Sequence, residues 1–166
     1  MTTWDADEAV SQLYGAHYTR LVRLATLLLR DQAVAEEVVQ DCFVAMHGKW
    51  SRLRDPDKAA AYLRQSVVNR SRSALRRRTV AARHEPEPVG SHPSAEDSVL
   101  ERERRAEMLV ALDGLSQRQR EVLLLRYYLD LSEADIAETL RISRGAVKSH
   151  SSRGLATLRT TWGESR

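Results

Sequence analysis

Apolar residues recur at intervals of three and four along most of the chain, the spacing of an α-helix with one buried face. Over residues 7–29 that stripe is Val10, Leu13, Tyr14, His17, Tyr18, Leu21, Val22, Leu24, Ala25 and Leu28, which predicts a long amphipathic helix. A histidine on such a stripe belongs to the core or its boundary rather than to a ligand set. Asp31 is placed to cap a second helix reaching about His47, with Val34, Val38, Cys42, Ala45 and Met46 inward and Glu36, Glu37, Gln40 and Asp41 on the other side. Gly48 weakens that helix near its end. Asp55 followed by Pro56 reads as an N-cap with a first-turn proline, opening a third helix over about 57–78. Its apolar line is Ala60, Leu63, Val67, Ser71, Ala74 and Leu75, and its other faces carry Arg64, Arg70, Arg72, Arg76, Arg77 and Arg78.

The periodicity stops over 79–98, where HEPEPVGSHPSAEDS holds the remaining prolines and Gly90. A structureless stretch of that length is uncommon inside one compact domain, so it reads as a flexible linker between two. Helical spacing resumes from Val99 to about 113. Ser116 with Gln119 forms a capping box for a helix over 117–129, and Ser132 with Asp135 another for 133–140. Ser143 can cap a last helix over 144–160, with Val147, Ser151, Leu155 and Leu158 inward. The expected fold class is therefore all-α: two small helical domains, 7–78 and 99–162, joined by the linker 79–98. The second domain, with four short helices and few large residues to bury, is expected to be only marginally stable alone.

Composition agrees with helix and adds exclusions. Hydrophobic residues are 42% and charged residues 30% of the 166-residue chain, the balance of a folded soluble protein. A single cysteine excludes a disulfide framework and a multi-cysteine zinc site. The acidic start MTTWDADEAV does not resemble a signal peptide, and no apolar run approaches a membrane span, which predicts a cytoplasmic protein. The net charge of +3 hides an uneven distribution: residues 58–84 hold eight Lys/Arg and no acid, and residues 141–166 hold six against one acid. Two separate basic blocks in an otherwise acidic chain point to two contacts with a polyanion, most readily nucleic acid.

Two segments give that contact a form. LSEADIAETLRISRGAVKSHSSRGLATLR, 131–159, reads as a helix-turn-helix: Ile136, Ala137 and Leu140 pack its first helix, Ile142 fills the link, and Val147 anchors the second. Gly145 is expected to permit close helix approach. The outer face of the second helix then holds Arg144, Lys148, Ser149, Ser152 and Arg153, donors and long cations suited to a major groove. The third helix combines Tyr62 and Asn69 with its arginines, a set that can follow a phosphate backbone and stack on or pair with an unpaired base. Catalytic chemistry is not in view. No phosphate-cradling glycine loop or nucleophile elbow is present, the five histidines are scattered, and Cys42 reads as a small buried hydrophobe. Neither an enzyme, a metal site nor a cofactor is expected. From the residues alone, a stand-alone helix-turn-helix regulator accounts for 131–159 equally well, but leaves the second Arg-rich helix unexplained.

Together these segments resemble a bacterial sigma-70 family RNA polymerase sigma factor of the extracytoplasmic-function type, and within it the short actinobacterial SigE-like group. AEEVVQDCFVAMHGKW (35–50) resembles the core-binding segment. DKAAAYLRQSVVNRSRSALRRR (57–78) resembles the −10 helix, with Tyr62 to Asn69 standing on the usual W-L-x-x-I-A-x-N pattern. Segment 131–159 resembles the −35 reader. The resemblance implies a sigma2-like bundle and a sigma4-like helix-turn-helix domain, and an alternative sigma factor, a non-catalytic polymerase subunit that directs promoter-specific initiation. It implies that Glu37, Gln40 and Asp41 meet the β′ clamp helices, and that the β flap engages the second domain. Leu53 and the loop to Lys58 would surround a flipped −10 base, with Tyr62 and Asn69 beside it and Arg64, Arg72, Arg76 and Arg77 on phosphates. Arg126, Arg144, Lys148, Ser149 and Arg153 would contact the −35 duplex. An anti-sigma factor is a further implied partner. His150 stands where many relatives carry Arg, Tyr62 where Trp is frequent, and Gln65 removes a charge, so the promoter sequence is not borrowed from any relative.

Overall fold

The computed structural model describes residues 5–81 and 98–164. The chain splits into two compact units, Met1–Val89 and Gly90–Arg166, and all regular structure among the described residues is helical.

The first unit packs three helices, α1 (Ala6–Leu29), α2 (Gln32–Lys49) and α3 (Ala59–Ala81). Their stripes meet in one core of Leu21, Ala25, Leu29, Ala35, Val38, Val39, Cys42, Phe43, Met46, Ala59, Leu63 and Val67. Each fully buried large aliphatic there contributes about 1.5–3 kcal/mol. The α1–α2 corner is tight. Arg30 takes the left-handed region (φ 57°) and its N–H caps Thr26 O at 2.7 Å, while Asp31 turns extended and accepts from Val34 N. Arg78 of α3 reaches into this corner, donating to Leu29 O at 2.7 Å and to Asp31 Oδ2 at 2.8 Å.

Two expectations change in this unit. The third helix does not begin at 57. Asp55 Oδ1 accepts from Asp57 N, two residues on, and closes a separate 3₁₀ turn over Pro56–Lys58 before α3 starts at Ala59. At its other end α3 continues to Ala81, because nothing between 78 and 81 breaks a helix and Thr79 Oγ1 bonds back to Leu75 O. Residues 79–81 of the expected linker are thus helical, and Ser98 at its far end is an N-cap. The rest of it lies outside the described residues.

The second unit comprises α4 (Val99–Asp113), α5 (Gln117–Leu123), a π-helical turn (Leu124–Tyr128), α6 (Glu133–Leu140) and α7 (Arg144–Glu164). Ser98 with Glu101 and Ser116 with Gln119 form complete capping boxes. Ser132 Oγ accepts from Asp135 N and Ser143 Oγ from Ala146 N. The core gathers Ala111, Leu112, Leu115, Val122 to Leu125, Ile136, Leu140 and Val147.

The helix expected over 117–129 is interrupted. From Leu124 it widens, with Leu129 N bonding Leu124 O and Leu131 N bonding Leu125 O, and Asp130 takes φ 57° to end it. The close approach expected at Gly145 lies instead at Gly154. A Cβ on Gly145 would meet nothing nearer than 3.8 Å, whereas one on Gly154 would stand 2.8 Å from Leu123 Cδ1. The buried line of α7 is accordingly Val147, Ser151 and Gly154, with Leu155 and Leu158 half-buried.

Candidate nucleic-acid interface

In the first unit, the end of α2, the 3₁₀ turn Trp50–Arg52 and the first turns of α3 enclose a pocket of about 170 Å³ lined by Met46, Lys49, Arg52, Leu53 and Tyr62. This is below the roughly 300–1,000 Å³ of a typical small-molecule site. It offers an apolar floor, one aromatic ring and two cations at its rim, a combination suited to a single flat base with its phosphate. Leu53 and Tyr62 are the two expected residues it brings together. Met46 and Lys49, from the far end of α2, and Arg52, from the 3₁₀ turn just before Leu53, were not anticipated.

Asn69 does not line this pocket. It is exposed, seven residues and about 10 Å further along α3. Tyr62, Asn69 and Arg76 are spaced by seven and so stay within about 40° of one another around the helix. They form a ridge about 21 Å long, opposite the buried Leu63, Val67 and Ser71. Arg76, Arg77 and Arg70 are exposed and Arg72 is half-buried. Arg64 is half-buried as well, and its Nε has no hydrogen-bond partner among the described residues. His17 of α1 lies close enough that burial first, then the charges of Arg64 and Arg20, hold its imidazole below its ordinary pKa. Arg78, by contrast, is committed to the α1–α2 corner.

The acidic side of α2 carries Glu37, Gln40 and Asp41, all exposed. Gln40 Nε2 donates to the Tyr18 hydroxyl at 3.3 Å. Tyr18 stacks on Tyr14 with centroids 4.3 Å apart, and Tyr14 meets Phe43 edge-on at 5.1 Å. The polar side of α2 therefore borders an aromatic cluster shared with α1. Cys42, 2% exposed behind this face, has its thiol pushed up to about 11, chiefly by burial, so it carries no thiolate near neutral pH.

In the second unit, α6 and α7 form the helix-turn-helix. The link is a Schellman turn: Arg141 takes φ 54°, its N–H bonds Glu138 O, and Ile142 N bonds Ala137 O at 3.1 Å. Arg144, Lys148, Ser149 and Arg153 all lie exposed on α7, spread over about 13 Å of helix, which matches the ~12 Å width of a major groove. Arg126 projects from the π-helical turn. Its Nη1 stands 3.3 Å from Glu133 Oε1, while Lys148 Nζ stands 3.9 Å from Glu133 Oε2. A concavity of about 590 Å³ opens beside them, lined in part by Arg126, Tyr127, Glu133 and Arg144. Glu133 was not singled out from the sequence. Among the described residues no cluster of three His, Cys, Asp or Glu could hold a metal, and no helix is long and apolar enough to cross a membrane.

Comparison with known proteins gives this arrangement its class. The family model for sigma-70 region 2 matches residues 13–80 and that for sigma-70 region 4 matches 105–158. The RNA polymerase sigma-E factor of Streptomyces avermitilis is 33% identical over 141 residues, 84% of this chain and 76% of its own. The ECF RNA polymerase sigma factor SigK of Mycolicibacterium vanbaalenii is 30% identical, over 94% of this chain and 83% of its own. Among solved structures, CnrH in complex with the cytosolic domain of CnrY superposes with a TM-score of 0.73 at 25% identity, covering 97% of this chain and 96% of that one. The sigma factor RpoE of Bartonella quintana, bound to the anti-sigma factor NepR, superposes at 0.78 over 94% and 98%, and at 24% identity shares the fold. The two units are thus sigma regions 2 and 4. The chain belongs to the sigma-70 family, in its extracytoplasmic-function group, and acts as an alternative sigma factor.

Proposed function

We propose that the two units read two physical states of one promoter. The module over 7–78 takes the melted −10 strand: a flipped base enters the Leu53–Tyr62 pocket, and Asn69 and the Arg64, Arg72, Arg76 and Arg77 guanidinium groups follow the strand along α3. The module over 99–162 reads the −35 duplex through Arg126, Arg144, Lys148, Ser149 and Arg153. Glu37, Gln40 and Asp41 dock on the β′ clamp helices of core RNA polymerase, and the β flap holds the second module. Catalysis then belongs to the core enzyme, and the chain works in the cytoplasm, where polymerase and promoters are. The solved complexes of similar sigma factors with NepR and with CnrY support an anti-sigma protein as a further partner.

The observation that carries this reading is the contrast between the two cationic surfaces. One combines a base-sized pocket holding one aromatic ring with a polar and cationic ridge, which suits unstacked strand. The other is an outward recognition helix, which suits duplex. The test separates the two stages on holoenzyme. Lys148→Ala and Arg153→Ala should weaken closed-complex binding and lower its salt slope by about 1 each. Asn69→Ala should leave closed binding near wild type and reduce permanganate reactivity of the melted strand. Equal loss at both stages for all three variants would contradict the division.

A further inference from the structure

Glu133 is an acid in the middle of the surface assigned to the −35 duplex. It occupies the first position of α6, where the helix dipole favours a carboxylate, and the Ser132 cap holds that turn. Its two oxygens face different cations, Arg126 from the π-helical turn and Lys148 from the recognition helix, at 3.3 and 3.9 Å. The carboxylate is about one-third exposed and Lys148 about two-thirds exposed, so phosphate can reach the cation that Glu133 holds. Arg126 also lies 5.8 Å from the Tyr127 ring centroid, which further limits where its guanidinium can go. A carboxylate here opposes phosphate binding in two ways: it repels the backbone, and it must release two cations before they neutralise phosphates.

We propose that Glu133 is a positioning residue that lowers the affinity of the second unit for duplex DNA, by holding Arg126 and Lys148 away from backbone phosphates. On duplex of any sequence, engaging those cations requires breaking both pairs. A duplex whose base edges also satisfy Arg144, Ser149 and Arg153 carries the same cost but offsets it, so that appreciable binding is kept for the promoter. The bland alternative is that Glu133 merely begins a helix. It predicts a change in stability and none in DNA affinity. This inference rests on the −35 assignment of the second unit.

The experiment compares wild type with Glu133→Gln, which keeps size and removes charge, as holoenzyme with core RNA polymerase. Two probes are used: a promoter fragment mapped by its transcript start, and the same fragment with its −35 element shuffled. Each is titrated across salt, and the free full chain is melted to check folding. The variant should bind shuffled DNA roughly three- to tenfold more tightly, the range set by two partly exposed ion pairs. It should bind the promoter more tightly by a similar factor, because promoter binding breaks the same two pairs. Glu133→Asp, which keeps the charge, should move both affinities back toward wild type. Unchanged or weakened binding to either probe overturns the proposal. If Lys148→Ala and Arg153→Ala still reduce promoter binding in the same assay, the −35 assignment survives that failure. If they do not, the assignment fails, and this inference with it.

Discussion

The two units reach stability by different routes. The first uses helices of 24, 18 and 23 residues around one aliphatic core. The second contains helices of 7 and 8 residues, lengths at which an isolated helix does not persist in water. It compensates through backbone geometry: capping boxes at α4 and α5, serine caps at α6 and α7, left-handed residues at Asp130 and Arg141, and a glycine where α7 crosses Leu123. The difference has a functional side. With stability in its core, the first unit can leave Tyr62, Asn69, Arg76 and Arg77 of α3 exposed for the proposed strand contact, while Arg78 is committed internally. In the second, the proposed DNA contacts and the structural atoms interleave, so that one carboxylate both starts a helix and faces two cations of the proposed DNA surface.

If the first unit rests on its core, Leu63→Ala should be the most damaging single change, costing about 2–5 kcal/mol. The loss should appear as faster hydrogen exchange of α2 and α3 amides and a lower urea midpoint. A cost under about 1 kcal/mol, the scale of a surface change, would break the comparison. In the second unit a position with no hydrophobic side chain should come next. Gly154→Val should cost about 1–3 kcal/mol through overpacking against Leu123. Adding Leu123→Ala to that variant should cost less than Leu123→Ala alone, the mark of a shared contact.

That ordering also shows what was legible in the sequence. The long stripes of α1 to α3 were, because Leu21, Val38, Met46, Leu63 and Val67 keep helical spacing through two or more turns. The helix-turn-helix was, because Ser132 and Ser143 mark both starts and Ile136, Leu140 and Val147 keep the period. Gly154 was not, because a glycine within a helix registers first as poor propensity. Its place seven residues after Val147, on the same buried line, is the signal that could have found it. The π-helical turn at Leu124–Tyr128 was hidden because one widened turn barely disturbs a run of apolar residues. The Arg78 contacts join elements almost fifty residues apart, and the pocket residues Met46, Lys49 and Arg52 and the Glu133 pairs depend on how neighbouring elements turn onto one another, which no helical period announces.

Smaller effects sharpen the same contrast. Arg78→Met should cost about 1–2 kcal/mol, for the loss of a charged hydrogen bond to Leu29 O and a half-exposed pair with Asp31. It should leave the salt dependence of DNA binding unchanged, whereas Arg77→Ala, on the exposed face, should lower the salt slope and leave stability near wild type. Equal salt slopes for both variants would remove the distinction between internal and outward cations on α3. Arg141→Gly should be the mildest and should act in the opposite direction, stabilising the second unit by about 0.5–1 kcal/mol. Glycine relieves the left-handed strain of the Schellman turn, partly offset by its freedom in the unfolded chain. Thermal melting of the variant would read it as a small rise in Tm.

The most direct test of the central claim is run-off transcription with purified actinobacterial core polymerase on genomic promoter fragments, with and without this chain. The account predicts that the chain co-purifies with core and that transcripts begin at discrete sites only when it is present. They should be lost when the chain carries Glu37→Lys together with Asp41→Lys, while the free variant stays folded. Duplex binding by the chain alone, with no association with core and no new transcript starts, would contradict it.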